Sequence, residues 1–340
     1  MAATFETAPP RRGIREFAGA RIARAVVVAL ATLVAGDAAA QPLPQGIKTF
    51  SAKDVIEGTK VSREVCAKTP RTVFVEAFGQ GICIRYFAHG ALRGAAPVVF
   101  FTGDVLGLDD KGRREVDPGY LTQAPEFIDI ASKVWAVRLR APMIFFGRMG
   151  LNGSSGWHGD RRTALEVEVT KKALDAIAAE EGATGFHLVG QSGGAMLVPA
   201  LLAARDDVGC AVIASGPLDF RAFTKTYGIT FRTSGARAHY DPMADVARIA
   251  PRIAGDGGSR LFVLTDPADR AVPAVFQLPF VAALERAGGR PVHILTGARD
   301  AEHHALIEKA LFVAGDCVAE KPDAAIRKAW EGTAGDALPR

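Results

Sequence analysis

The sequence has none of the cysteine and histidine spacings, such as C-x-x-C, that are typical of metal sites, and it has no internal repeat. It also lacks a linker rich in proline, glycine or serine, so nothing in it indicates a second folded domain. Its charges nearly cancel, with 41 Lys and Arg against 37 Asp and Glu, and this balance gives no sign of nucleic-acid binding. We therefore expect a globular chain that needs no metal or organic cofactor and binds no nucleic acid.

The first forty residues differ in composition from the rest of the chain. Five arginines precede an apolar run at 25–36, and the alanines at 38–40 then match an A-x-A cleavage site. This run is much shorter than the roughly 20 apolar residues that a membrane-spanning helix needs. We predict that residues 1–40 are a cleaved signal peptide and that 41–340 form the exported domain, periplasmic or extracellular. A retained anchor is the alternative, and the arginine pair at 11–12 leaves twin-arginine export open.

The sequence has only four cysteines, and export would place them where disulfides persist. Cys66 and Cys83 flank a short stretch that should bend back on itself, so a disulfide between these two cysteines is our first expectation. Cys210 and Cys317 would then form the second bridge. Four buried free thiols are the alternative, because free cysteine is among the most buried residue types.

Hydrophobic patterning predicts an α/β fold. Residues 72–88 alternate around a Gly79–Gly81 turn, which is typical of an antiparallel hairpin. Near-continuous apolar runs then alternate with helical patterns such as 164–180, and together they predict a mostly parallel, twisted sheet with helices on both faces. The predicted parallel strands are 97–102, 134–138, 185–189, 208–215, 260–265 and 291–296. Residues 216–258 interrupt the alternation and are predicted to form a short cap, with a plain surface connection as the alternative.

A G-x-S-x-G pattern occurs at Gly190–Gly194, with Ser192 at its centre. The pattern alone is weak, because a chain with 36 glycines can contain it by accident. Its context is stronger, since a predicted strand precedes it and an apolar helical segment follows. A nucleophile elbow needs this setting, in which small residues allow the backbone to approach closely around a strained turn. A glycine-rich turn that only packs tightly is the alternative.

A serine hydroxyl becomes a good nucleophile only when a base takes its proton and a carboxylate orients that base. In a fold with such an elbow, the expected chain order is Ser, then Asp or Glu, then His. The predicted strand 260–265 leads into a loop that holds Asp266 and Asp269. We favour Asp269, because Asp266 stands just before a proline, where aspartate is common as a turn former.

The base is expected after the last predicted strand. Residues 302–306 are predicted to open a helix that carries His303 and His304. Adjacent residues on a helix cannot both face Ser192. We favour His304, with Leu306 anchoring the start of the helix, and expect His303 to be a solvated neighbour.

Two N–H groups should stabilise the oxyanion that forms when a serine attacks a carbonyl. Gly193 follows the nucleophile and would supply the first. Asp104, in the Thr102–Asp104 segment after the predicted strand 97–102, would supply the second. An ordinary turn is the alternative, because an anionic side chain near an oxyanion is harmless only if it points away.

Taken together, these residues resemble the catalytic domain of the prolyl oligopeptidase-like group of α/β-hydrolases. In that group a G-x-S-x-G elbow, a D-x-x-V-P acid loop and a late histidine recur in this order, matched here by Gly190–Gly194, Asp269–Pro273 and His304. The resemblance covers about residues 70–315 and extends to Gly153–Gly156 with the arginine-rich turn after it. Two features depart from the group: no β-propeller precedes the domain, and Thr102–Asp104 replaces the usual His-Gly.

The resemblance and the motifs predict an exported serine hydrolase that cleaves ester or amide bonds through an acyl-enzyme. A prolyl oligopeptidase-like serine peptidase and a carboxylesterase of the same fold both fit, with a small ester or short peptide as substrate. A non-catalytic exported binding protein that retains the fold is the remaining alternative. Contact with a membrane is expected only through an uncleaved signal peptide.

Overall fold

A computed structural model describes residues 48–108, 113–255 and 257–333. The predicted signal peptide, 1–40, lies outside the described residues. Within them, no helix combines the length and the apolar character needed to cross a bilayer.

An eight-stranded sheet runs through the centre of the molecule, in the order β1-β2-β6-β3-β7-β8-β9-β10. Strand β2 is antiparallel to both β1 and β6, and the strands from β6 to β10 in this order are parallel. A separate antiparallel pair is formed by β4 and β5. The strands are β1 (Thr72–Ala77), β2 (Gln80–His89), β3 (Val98–Phe101), β4 (Leu106–Leu108), β5 (Arg114–Val116), β6 (Met143–Phe146), β7 (Phe186–Gln191), β8 (Val208–Ala214), β9 (Arg260–Thr265) and β10 (Val292–Leu295). The mostly parallel sheet with an antiparallel hairpin is therefore confirmed.

Helices cover both faces of the sheet, and each face has its own apolar cluster. Helices α4, α5 and α8 pack on one face, and α3, α9 and α10 pack on the other. The helices are α1 (Ala52–Glu57), α2 (Arg63–Ala67), α3 (Pro125–Leu139), α4 (Ala164–Glu181), α5 (Leu197–Ala204), α6 (Phe220–Tyr227), α7 (Val246–Ile249), α8 (Leu278–Arg286), α9 (Ile307–Val318) and α10 (Asp323–Trp330).

Helix α4 follows the predicted period closely. Leu165, Val169, Ala173 and Ile177 are fully buried at four-residue spacing, which places one continuous apolar stripe against the sheet. Gly182 then ends the helix in the left-handed conformation that glycine adopts without a steric penalty.

The prediction of a strand at 134–138 is wrong, because these residues form the end of helix α3. The run is rich in β-branched and aromatic side chains, a composition also typical of buried strands. Ala131, Trp135 and Leu139 are buried at helical spacing, and this period governs the segment. The sheet instead takes β6, only four residues long, from the run that follows.

Residues 216–258 lie beyond the carboxyl end of β8 and include α6 and α7. Their aromatic side chains Phe220 and Phe223 form a cluster with Met196, Val272 and Phe276. Met196 belongs to the turn after β7, and Val272 and Phe276 follow β9. This segment therefore packs over the carboxyl ends of the central strands.

Both expected disulfides are present. Cys66–Cys83 joins α2 to β2 across 17 residues of sequence, and Cys210–Cys317 joins β8 to α9 across 107 residues. The second bridge closes by far the longer loop, so it should restrict the unfolded chain more.

We predict that replacing Cys210 and Cys317 by alanine lowers the free energy of unfolding by about 4 kcal/mol, and that the same change at Cys66 and Cys83 costs about 3 kcal/mol. Urea unfolding of both double variants beside the unreduced parent measures the difference. A parent-like midpoint in the Cys210→Ala/Cys317→Ala protein would contradict the prediction.

Candidate active site

The turn after β7 places Ser192 at the carboxyl edge of the sheet. Ser192 has a φ of 55°, a left-handed conformation that is uncommon for residues other than glycine. The chain then continues through a short 3₁₀ turn, Ser192–Met196, into α5. A side chain at Gly190 or Gly194 would overlap backbone, that of Gly194 and Ala195 in the first case and that of Phe101 and Thr102 in the second. The two glycines thus allow a strand, a strained serine and a helix to meet within five residues.

His304 and Asp269 form a buried pair at the same edge. His304 Nδ1 lies 2.9 Å from Asp269 Oδ2 and 3.1 Å from Oδ1, and both side chains are almost fully buried. Asp269 Oδ1 also accepts the N–H groups of Ala271 and Val272, at 2.9 and 2.8 Å. These bonds fix the carboxylate, which in turn fixes the orientation of the imidazole. The arrangement can hold a histidine ready to accept a proton at its other nitrogen.

The Gln191 side chain connects the elbow to the histidine loop. It is fully buried, and its Nε2 donates to the carbonyl of His304 at 2.8 Å. Its Oε1 accepts the N–H of Leu306 at 3.2 Å. The residue directly before Ser192 therefore holds the backbone on both sides of Ala305, which fixes the histidine loop relative to the nucleophile turn.

A second aspartate–histidine pair lies beside the first. His303 Nδ1 is 3.2 Å from Asp266 Oδ2, and the His303 side chain is 41% exposed. Asp266 also accepts the N–H groups of Ala298 and Ala268, at 2.7 and 2.8 Å. The structure thus pairs the two predicted acids with the two predicted bases, and it buries only the Asp269–His304 combination completely.

The expectation of a helix beginning at 302 is wrong, because α9 begins at Ile307 and the two histidines precede it in a tight loop. Asp300 organises this loop: its Oδ1 accepts the N–H groups of His304 and Ala305, at 3.0 and 2.7 Å. His303 has a φ of 55°. This local reversal, rather than helix periodicity, separates the environments of the two imidazoles.

The predicted oxyanion residues Gly193 and Asp104 are neighbours. A side chain at Gly193 would overlap the carboxylate of Asp104, so this carboxylate lies directly against the elbow. A side chain at Gly103 would come within 3.2 Å of Ser192 Cβ. The Thr102–Asp104 segment therefore borders the serine. The Asp104 side chain, however, does not point away from the elbow but lies against Gly193.

An arginine cluster neutralises Asp104, and it consists of Arg148, Arg161 and Arg162 with the carboxylates of Asp104 and Glu166. Arg148 Nη1 lies 2.9 Å from Asp104 Oδ1, and Arg161 Nε and Arg162 Nη1 lie 3.2 and 3.1 Å from Oδ2. Arg148 also forms a two-pronged pair with Glu166, at 2.9 and 3.0 Å.

The surroundings set the ionisation of this cluster. Burial acts to raise the pKa of Asp104, but the charges of Arg162, Arg148 and Arg161 hold it well below its usual range. Burial, with the neighbouring arginines, lowers the pKa of Arg162 to about 10 against the opposing effect of Asp104, so its guanidinium stays charged at neutral pH. Burial also depresses the pKa of the adjacent His158 far enough to keep its imidazole neutral.

Sequence reasoning did not assign any role to the arginine cluster. Its arginines follow β6 or precede α4, and the only signal was the arginine-rich turn at Arg161 and Arg162. Among the described residues, no group of three or more His, Cys, Asp or Glu side chains is placed to hold a metal ion.

Comparisons with known proteins found no matching family model and no matching curated protein. Among solved structures, the chain is similar to the esterase Pf2001 of Pyrococcus furiosus, with 12% identity, a TM-score of 0.51, and coverage of 77% of this chain and 96% of that one. This chain has the α/β-hydrolase fold.

Two peptidases are similar to the hydrolase fold of this chain over part of their length. The acylaminoacyl peptidase of Pyrococcus horikoshii has 14% identity and a TM-score of 0.48, with coverage of 74% of this chain. A puromycin-hydrolysing peptidase of Mycobacterium tuberculosis has 15% identity and a TM-score of 0.49, with coverage of 77% of this chain. This chain spans 40% of the length of each.

We predict that Asp269→Asn lowers kcat for an activated ester by roughly 10³- to 10⁴-fold, because His304 loses the carboxylate that orients it and stabilises its charged form. Asp266→Asn is the matched control, since it makes the same change in the Asp266–His303 pair, whose imidazole is partly exposed. It should keep kcat within about tenfold of the parent. The opposite ranking of the two variants would assign the chemistry to His303.

Proposed function

We propose that this protein is a serine hydrolase that cleaves ester or amide bonds through an acyl-enzyme. The observation that carries the proposal is the left-handed Ser192 at a strand-to-helix turn, coupled through Gln191 to the buried His304–Asp269 pair. A strained, glycine-flanked serine with no such partners could be a packing feature. A serine whose turn is held by Gln191 to the loop of a buried imidazole and carboxylate, in this chain order, is suited to nucleophilic catalysis.

In the proposed reaction, Ser192 Oγ attacks the carbonyl carbon while His304 Nε2 takes the hydroxyl proton. His304 then gives this proton to the leaving alkoxide or amine, and the serine ester remains. A water molecule then attacks the serine ester while His304 takes its proton. His304 returns this proton to Ser192 Oγ, and the carboxylic acid is released. Asp269 holds the Nδ1 proton of His304 throughout and stabilises the charged imidazole.

The N–H groups of Gly193 and Asp104 are the proposed donors to the oxyanion. The arginine cluster makes this assignment compatible with an aspartate at 104, because the carboxylate is paired before substrate arrives. No hydrogen bond joins Ser192 to His304 within the described part of the chain. Catalytic hydrogen bonds are often long in free enzymes and tighten in the substrate complex, and we propose this for the serine–histidine contact.

Export is part of the proposal. The composition of residues 1–40 supports it, and so do the two disulfides, because such bonds persist in oxidising compartments and are rare in the cytosol. N-terminal sequencing of the protein recovered from a periplasmic or culture fraction should begin near Gln41. Recovery of the full-length chain in the cytosol alone would argue against export.

We predict that Ser192→Ala lowers kcat by at least about 10³-fold on every hydrolysed substrate, because the acyl-enzyme can no longer form. Short p-nitrophenyl esters and dipeptidyl amides should be assayed side by side. Turnover of amides without esters would identify a peptidase, and turnover of esters without amides would identify a carboxylesterase.

A fluorophosphonate probe provides the control for this experiment. It should label the parent protein at Ser192 and leave Ser192→Ala unlabelled, with the circular dichroism spectrum unchanged. Full activity in Ser192→Ala would refute the mechanism. A parent protein that neither labels nor hydrolyses any substrate would favour the binding-protein alternative.

A further inference from the structure

The arginine cluster lies next to the proposed nucleophile. It contains more positive charge than its own carboxylates neutralise. Arg148 is shared between Asp104 and Glu166. Within the described residues, Asp104 is the only carboxylate within 4.0 Å of the guanidinium groups of Arg161 and Arg162, and Glu166 accepts the backbone N–H of Arg162. The cluster therefore holds three buried guanidinium groups against two carboxylates, and all three guanidinium groups contact Asp104.

Besides its ion pair with Asp104, Arg162 contacts two aromatic rings through its guanidinium. Its guanidinium lies 4.2 Å from the ring centroid of Phe231 and 5.0 Å from that of Phe220. Its Nε is buried and has no hydrogen-bond partner among the described residues. A buried charged donor without an acceptor is costly, and an incoming anion would relieve that cost.

The position of this group is between the elbow and the 216–258 segment. On one side, Asp104 lies against Gly193, next to Ser192. On the other side, the Tyr240 N–H donates to the Arg162 carbonyl at 2.7 Å. Asp104 is the more exposed of the two residues, its side chain being 17% exposed against 6% for Arg162.

Asp160, the remaining carboxylate of this turn, is engaged elsewhere. It accepts hydrogen bonds from the N–H and the hydroxyl of Ser234, so it faces the 216–258 segment. The charge presented toward Gly193 is thus set by two arginines and one aspartate. An ammonium group on a substrate would meet this net positive charge, although Asp104 alone would attract it.

We propose that Arg161 and Arg162 select substrates that carry a carboxylate close to the scissile ester or amide bond. The substrate carboxylate supplies the second anion that the arginine pair lacks, and it shares the pair with Asp104. Guanidinium groups are suited to this role because their planar donors match a carboxylate in geometry and charge. The inference rests on the proposed serine hydrolase function and specifies its substrate class.

The first test uses the unaltered protein and matched p-nitrophenyl esters. The acyl chains end in a carboxylate, a methyl group or an ammonium at equal length, as in the hydrogen glutarate, pentanoate and 5-aminopentanoate esters. A second series places the charge on the alcohol side, as butanoyl esters of 3-hydroxybenzoate and 3-hydroxybenzamide. We expect kcat/KM to be about tenfold or more higher for the carboxylate member of at least one series.

Substitutions then test whether the arginine pair causes the preference. Arg162→Gln should lower the ratio of anionic to neutral kcat/KM toward one, whereas Asp104→Asn should raise this ratio, because it removes the competing resident anion. A purely structural cluster would lower both rates together and leave the ratio unchanged. Arg221→Gln is the matched control, since it removes the same charge from an 89% exposed side chain of α6.

A measurement that needs no variant covers the case in which buried arginine substitutions prevent folding. Glutarate should inhibit hydrolysis of the neutral pentanoate ester competitively, at a concentration about tenfold lower than its uncharged diamide. Equal inhibition by the acid and the diamide would overturn the inference, as would equal rates across both ester series or a preference for the ammonium ester. Hydrolysis of neutral esters that depends on Ser192 would leave the proposed function intact in each of these cases, whereas failure to hydrolyse any ester or amide would count against the proposed function itself.

Discussion

The chain around Ser192 leaves no room for a side chain at Gly190 or Gly194, and much of the site depends on this crowding. Gly190 and Gly194 let the Ser192 backbone adopt a left-handed conformation while β3 passes beside it. The same turn fixes Gln191, whose buried amide holds the histidine loop. One tightly packed turn therefore sets the position of Ser192 and also of the loop that carries His304.

Charge balance is the second constraint, and it operates at Asp104, whose carboxylate lies against Gly193. A carboxylate next to a candidate oxyanion site would oppose the chemistry if it stood alone. Here it is surrounded by guanidinium groups from two segments, one after β6 and one before α4. Because these groups are buried, their interactions are strong, and an uncompensated charge among them destabilises the fold. The same arrangement that makes Asp104 tolerable also creates a place for a second anion.

Local hydrophobic patterns predicted the structure well where a single helix or strand period runs through the whole segment. Helix α4 and the β1–β2 hairpin were predicted within a residue or two, because burial follows a helical period along α4 and alternates along β1. These patterns failed at 134–138, where strand-like composition lies on a helix, and at 302–306, where a loop organised by Asp300 replaces the expected helix start. The histidine loop is also held by Gln191, more than 100 residues earlier in the chain, and no local sequence pattern contains that contact.

The sequence by itself determined the mostly parallel sheet and the strand-to-helix turn at Ser192, and it gave the chain order of the candidate acid and base, because each follows from local periodicity or local backbone requirements. It narrowed the acid and the base to two candidates each. Only the tertiary structure decided how they pair, since burial of Asp269 with His304 depends on how the loops after β9 and β10 meet. The arginine cluster likewise required the fold, because ion pairs between distant segments leave no periodic signal in the sequence.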